Sequence, residues 1–234
     1  MDNSVIPDEI RQRVEYRRGS LATMERLDLT RTALLVMDVQ NFYWMEDLPV
    51  AYAPDMANIV DKVNAIAALC RQLSVPVFWI QHMFTESWTS WYEKTTKGEV
   101  ARALIENTTP GSRGFEIHDS MDVQPGDQRV LKTRYSAMLH NSSDLDLQLL
   151  ARRIDTLIIT GGLTNCCCES TARDAMMMDY NVVFVSDANA SRSAAQHQAS
   201  LVSLVQLFAD VRDTASLMEM MKLSSDSSAL EVEE

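Results

Sequence analysis

Short runs of aliphatic and β-branched residues recur along this chain, and longer stretches with helically spaced apolar positions separate them. Few folds satisfy that alternation, because adjacent parallel strands must be joined by a long crossover and the crossover is usually a helix. The runs are Thr32 to Met37 (TALLVM), Val75 to Ile80 (VPVFWI), Arg129 to Thr133 (RVLKT), Thr156 to Thr160 (TLIIT) and Asn181 to Ser186 (NVVFVS), with a sixth at Phe208 to Val211. Pro76 belongs at the start of its strand, where a missing N–H breaks no ladder. The pattern predicts an α/β fold with a doubly wound, mostly parallel six-stranded sheet and helices on both faces, a Rossmann-like three-layer arrangement.

Between the first two runs, Met56, Ile59, Val63, Ile66 and Leu69 recur at helical spacing, and Pro54 suits a first turn. Residues 144–153, 166–179 and 193–207 read as three further helices, and 98–106 as another inside the long connection from 82 to 128. A connection of that length in a compact domain points to function. With 234 residues, 46% of them hydrophobic, the chain can bury one large core. The expected division is an N-terminal arm at 1–30, a single α/β domain at 31–221 and a flexible acidic tail at 222–234. The arm, with Tyr16, Arg17 and Arg18, carries too little apolar content to fold alone and is expected on another subunit or mobile.

Twenty-one basic residues against 33 acidic ones give a net charge of -12, which repels a phosphate backbone, so nucleic acid is not an expected partner. No run approaches the roughly 18 apolar residues of a membrane span, and the first residues are charged throughout. The expectation is a soluble, cytoplasmic protein with no membrane partner. Of the four cysteines, Cys70 stands alone and Cys166, Cys167 and Cys168 are adjacent, which suggests no disulfide framework.

In an open parallel sheet, ligands bind beyond the carboxyl ends of the strands. Asp38 closes the first run, Lys132 lies at the end of the third, and the cysteine triplet opens the helix after the fourth. Free N–H groups at a helix start and a neighbouring ammonium favour a thiolate there. Successive helical side chains fan around the axis, so one cysteine points best into the crevice, and periodicity alone does not choose it. Packing remains open for all three. Zinc is disfavoured, since consecutive cysteines lack the usual spacers, and a redox pair would ideally read Cys-x-x-Cys.

Three segments, ALLVMDVQNFY, RVLKTRYSAM and TGGLTNCCCESTARDA, resemble the signatures of the isochorismatase-like cysteine hydrolases, a group that includes nicotinamidases, carbamoylsarcosine amidohydrolase and ureidoacrylate amidohydrolase. The resemblance covers roughly residues 30 to 212 and implies a catalytic trio of Asp38, Lys132 and Cys167. Cys166 and Cys168 take positions usually held by small apolar residues. The resemblance also implies a cis peptide between Gly162 and Leu163, and an oxyanion hole from the backbone N–H groups of Leu163 and Cys167.

The implied activity is hydrolysis of an amide or carbamoyl bond in a small molecule through a thioester, with ammonia released and no cofactor. Nicotinamidases of the family carry an Asp-x-His metal motif after the second strand, whereas WIQHMFTESW has His82 with Ile80 two residues before it. That departure implies no metal and favours the ureido or carbamoyl branch, nearest in pattern to ureidoacrylate amidohydrolase. Expected lining residues are Asn41, Trp44, His82, Trp88, Trp91 and Tyr135, while His118, His140 and His197 read as surface or packing. A homodimer or homotetramer is implied as well. A binding module without turnover, and hydrolysis of a vinyl ether, are the alternative readings.

Overall fold

In the computed structural model, which describes residues 6–85 and 94–231, the six runs pair into one all-parallel sheet. The strands are β1 (Thr32–Met37), β2 (Val77–His82), β3 (Gln128–Lys132), β4 (Thr156–Gly162), β5 (Asn181–Ala190) and β6 (Asp210–Arg212). They lie in the order β3-β2-β1-β4-β5-β6. The order reverses between β1 and β4, so a crevice opens there at the carboxyl end of the sheet.

Strand alternation sorts the core onto two faces. Leu34 and Val36 of β1 join Trp79, Ile158 and Val183 on one side. Ala33, Leu35 and Met37 join Phe78, Ile80 and Ile159 on the other. Every residue of β1 is fully buried, which explains why that run reads as continuously apolar.

Seven α-helices cover the two faces among the described residues: α1 (Asp8–Arg18), α2 (Val60–Gln72), α3 (Gly98–Thr108), α4 (Leu145–Ala151), α5 (Glu169–Met177), α6 (Ala194–Leu207) and α7 (Thr214–Glu231). The predicted helix from 54 divides into a 3-10 segment, Pro54–Ile59, and α2. Met56, Ile59, Val63, Ile66 and Leu69 are all buried, as their spacing requires. α5 starts later than predicted, because residues Thr164–Cys168 form a π-helical turn before it.

Two expectations about the chain ends are corrected. The arm contains α1, whose Ile10 and Val14, with Ile6, form a buried stripe in the same core as α4, α5 and α6. Its charged majority concealed a one-sided set of apolar residues at helical spacing. The expected flexible tail is helical over its described part: α7 continues to Glu231, and buried Ser224 accepts from the Leu27 N–H at 2.9 Å. Serine and aspartate made this stretch look solvated, yet Leu217, Met220 and Met221 anchor the turns before it. No helix of the described residues is long and apolar enough to cross a membrane.

Candidate active site

The carboxyl ends of four strands build the site. Immediately after β1, Asp38 turns with φ 49°, a left-handed conformation that aspartate tolerates, and its N–H donates to Ile80 O at 2.9 Å. Opposite it, Gly161 of β4 has φ 108°, and a Cβ there would sit 2.1 Å from Met37 O. Glycine is therefore required for β4 to approach the backbone that delivers Asp38. The Gly162–Leu163 peptide bond is cis, and the π-helical turn follows, with the Cys168 N–H donating to Leu163 O at 3.3 Å. That turn carries Cys167 into the crevice at 1% exposure.

Lys132 ends β3 and reaches across the crevice with no solvent exposure. Its Nζ lies 2.9 Å from Asp38 Oδ2 and donates to Cys167 Sγ at 3.3 Å and to Arg134 O at 3.2 Å. A buried ammonium needs a countercharge, and two acids compete to supply it. Burial raises the Asp38 carboxyl, with Lys132 and Cys167 opposing. Burial likewise raises the Cys167 thiol, with Cys166 and Asp38 adding to the effect and Lys132 opposing it. Burial works against the charged Lys132, but Asp38 and Cys167 outweigh it and the ammonium is strengthened. One cation thus balances one negative charge, which either the carboxylate or the thiolate carries, so a proton can pass between Asp38 and Cys167.

His82 ends β2 with Nδ1 3.9 Å from Cys167 Sγ. Burial, then Lys132 and Arg134, pulls its pKa well below the usual 6.5, so the ring is neutral near pH 7. Its ring stacks on Phe84 at 4.4 Å and meets Tyr135 edge-on at 6.0 Å. Gln40 fixes this strand end, accepting the His82 N–H at 2.6 Å and donating to His82 O and Phe115 O.

A cavity of about 180 Å³ opens above the sulfur, lined by Phe42, Tyr43, Phe84, Tyr135, Leu163 and Arg192 among others. Asp38, Lys132, Cys167, His82, Tyr135 and Leu163 therefore come together as the sequence predicted. Two predicted lining residues do not. The Asn41 side chain donates to Arg113 O at 2.9 Å, and Trp44 stacks on His118 at 4.3 Å, so both are spent holding loops. Residues Asn41–Tyr43 form a 3-10 turn, and its rotation of about 120° per residue sends Phe42 and Tyr43 inward instead. Trp88 and Trp91 lie outside the described residues. Sequence reasoning also missed Phe84, Cys166 and Arg192 as lining; for Phe84 the signal was its place two residues after His82 on the same connection.

Asp38, His82 and Cys167 offer ligand atoms within 4.8 Å of one another, a set that could hold a metal ion. The fit is poor, because the Lys132 ammonium already contacts two of the three and would repel a divalent cation. A larger cavity, of about 490 Å³, lies at the opposite end of the sheet around Arg31, Asp155 and Tyr180. Four of its polar groups are paired, Arg31 with Asp155 at 2.7 Å and Tyr180 donating to Asp146 at 2.8 Å, and no cysteine or serine lines it. The smaller cavity is the one with chemistry.

Comparison with known proteins shows what family the chain resembles. A family profile described as the isochorismatase domain matches residues 32–216. A ureidoacrylate amidohydrolase, RutB of Methylobacterium radiotolerans, is 29% identical over 209 residues, covering 81% of this chain and 79% of that protein. Nicotinamidase 3 of Arabidopsis thaliana is 31% identical over 186 residues, covering 79% and 86%. Among solved structures, a cysteine hydrolase from Pseudomonas syringae pv. phaseolicola superposes with a TM-score of 0.75 at 29% identity, covering 85% of this chain and 95% of that one.

Proposed function

The chain belongs to the isochorismatase family of hydrolases, and within it we propose a cysteine-dependent amidohydrolase that cleaves the C–N bond of a small ureido, carbamoyl or related linear amide. The observation that carries this reading is the continuous contact from Asp38 to Lys132 to Cys167 at 2.9 and 3.3 Å beneath a cavity walled largely by aromatic side chains.

The steps follow from the charge balance. Asp38 takes the Cys167 proton, and the thiolate, held by the Lys132 ammonium, attacks the carbonyl carbon. Backbone N–H groups of Leu163 and Cys167 are the candidate donors to the oxyanion. Protonated Asp38 then delivers its proton to the departing nitrogen, leaving a thioester on Cys167 and releasing ammonia or an amine. Asp38, again a carboxylate, activates water to split the thioester. Neutral His82 is not needed as base, and its stacked ring forms a wall against which a planar substrate can lie.

Arg192 gives the substrate a direction. It is the one cationic side chain that lines the cavity among the described residues, so an anionic group of the substrate belongs at that end. A local guanidinium outweighs a distributed net charge at contact distance. Conjugated ureido acids such as ureidoacrylate have the required shape: a planar body, a terminal carbamoyl for Cys167 and a carboxylate for Arg192.

The test is ammonia release from ureidoacrylate, carbamoylsarcosine, biuret, maleamate and nicotinamide, with and without chelator, alongside mass spectrometry of Cys167 for the acyl adduct. Turnover of an anionic ureido or carbamoyl compound, insensitive to chelator, is the expected result. Preference for nicotinamide with loss on chelation would refute both the substrate class and the metal-free site.

A further inference from the structure

We propose that His197 of α6 is a positioning residue for the nucleophile: through Thr164 it holds the π-helical turn that presents Cys167. The proposal rests on the cysteine-hydrolase reading above and extends it to a residue with no part in the chemistry itself.

The geometry begins at the first residue of the turn. Thr164 is fully buried, and its Oγ1 lies 2.8 Å from His197 Nδ1 across 33 residues of sequence. One residue on, Asn165 Oδ1 accepts a short hydrogen bond from Ser191 Oγ, itself buried at the end of the β5 connection. The turn is thus tied at two consecutive residues to a single segment, 191–197, and Cys167 stands three residues after Thr164. Arg192, which lines the substrate cavity, lies in the same segment. A π-helical turn has poorer backbone geometry than an α-helix and is short, so outside ties decide where its side chains point.

The tie has a preferred protonation state. Neutral imidazole with its proton on Nε2 leaves Nδ1 to accept the Thr164 hydroxyl hydrogen, and the Ser186 backbone, the ring's other partner, suits that tautomer. Burial holds the His197 pKa below the ordinary 6.5, with the Ser186 backbone and Asp55 opposing. A third cavity, of about 240 Å³, borders the ring and brings Asp55 of the 3-10 segment, Lys62 of α2 and Asp187 of β5 to the same side. Lys62 and Asp187 pair with each other at 3.8 Å. Across from them, Glu169 and Arg173 of α5 pair at 2.6 Å and bond Ser200 and Ser203 of α6, so they are already satisfied. Protonating His197 turns Nδ1 into a donor. The Thr164 hydroxyl must then accept, and its own hydrogen points into a buried site. Acid pH therefore loosens the tie, and the loss sets in as pH falls through the ring's depressed pKa.

The experiment measures alkylation of Cys167 by iodoacetamide, localised by peptide fragmentation, together with kcat and KM from pH 5 to 9. It compares the wild-type chain with His197→Ala and His197→Gln, since glutamine offers an acceptor and a donor at similar spacing. His197→Ala is expected to lower both the alkylation rate and kcat by roughly 10- to 100-fold while KM moves little, as for a small displacement of a reacting group. His197→Gln should restore most of that rate and lose the acid-side step of the wild-type profile. Alkylation at the wild-type rate in His197→Ala with only the melting temperature lowered would overturn the proposal, as would a His197→Gln variant as slow as alanine or one that keeps the acid-side step. If no amide is turned over, the alkylation arm still reads the position of Cys167, so failure of the activity and failure of the tie are separable.

Discussion

Replacing Lys132 by methionine isolates the charge balance on which the site depends. Methionine keeps the length of the side chain and removes the ammonium, leaving Asp38 fully buried with its 2.9 Å partner gone. Breaking a buried ion pair from one side costs about 3–5 kcal/mol, because the remaining charge has lost its countercharge. With an m-value of about 2–3 kcal/mol per M urea, the unfolding midpoint should fall by roughly 1–2.5 M at pH 8.

The pH dependence tests the cause. Asp38 in the folded wild-type protein already titrates above 3.8, and removing Lys132 takes away the influence that held it down, so it rises further. A carboxyl whose folded-state pKa exceeds its unfolded value adds stability at acid pH and loses it as pH rises through the folded pKa. The deficit of Lys132→Met relative to wild type should therefore be largest near pH 8 and shrink as pH falls toward the unfolded value of Asp38. Adding Asp38→Asn to Lys132→Met should recover part of the loss, since an amide needs no countercharge. Urea titrations of the four proteins across pH 5 to 8 decide the matter. A deficit that stayed flat or grew on acidification, or a double variant as unstable as the sum of the two single ones, would refute the reasoning. In turnover, Lys132→Met should lose about 10²–10³-fold in kcat, the usual size for a lost electrostatic stabiliser.

Cys167→Ala should abolish turnover and adduct formation, whereas Cys168→Val, on a fully buried thiol, should keep turnover and cost mainly stability; inactivation by Cys168→Val with the fold intact would displace the nucleophile by one position. Gly161→Ala should destabilise by more than about 4 kcal/mol, seen as loss of soluble folded protein, because it combines φ 108° with a Cβ contact of 2.1 Å on Met37 O. Arg192→Gln should raise KM for a carboxylate substrate by roughly 10- to 100-fold, the value of one hydrogen-bonded charge, and leave KM for an uncharged amide almost unchanged. Equal effects on charged and neutral substrates in steady-state kinetics would remove Arg192 from the binding site.

β1, β2 and β4 were legible because each is buried along its whole length, and a doubly buried parallel strand must be an unbroken apolar run, whereas the edge strand β3 alternates exposed and buried residues and gave the weakest signal. α2 was legible because one face meets the sheet and the other meets solvent, which fixes its period. α1 and the end of α7 were not, since each buries only a few residues and their remaining composition describes the solvent side. At the site the same logic separates what was read from what was missed. Asp38, Lys132 and Cys167 stand at strand ends or next to one, where topology alone brings them together whatever the intervening loops do. Lining residues depend on rotation within a single short turn: shifting attention by one residue in NFYW exchanges Asn41 and Trp44, which brace loops, for Phe42 and Tyr43, which face the sulfur.

His197 was hidden for a further reason. Its partner, Thr164, is 33 residues away and belongs to a turn whose π-helical form the sequence does not announce, so no local spacing relates the two. Residues that act on the reacting atoms are marked by chemical type and by position on the sheet. Residues that act through another side chain are marked only by the contact, and a histidine with an ordinary helical neighbourhood gives no sign of it. The sequence thus exposes the part of the site that the sheet topology dictates, while orientation of the nucleophile resides in long-range ties such as Ser191 to Asn165 and His197 to Thr164, which emerge only once β5 and α6 are packed beside the turn.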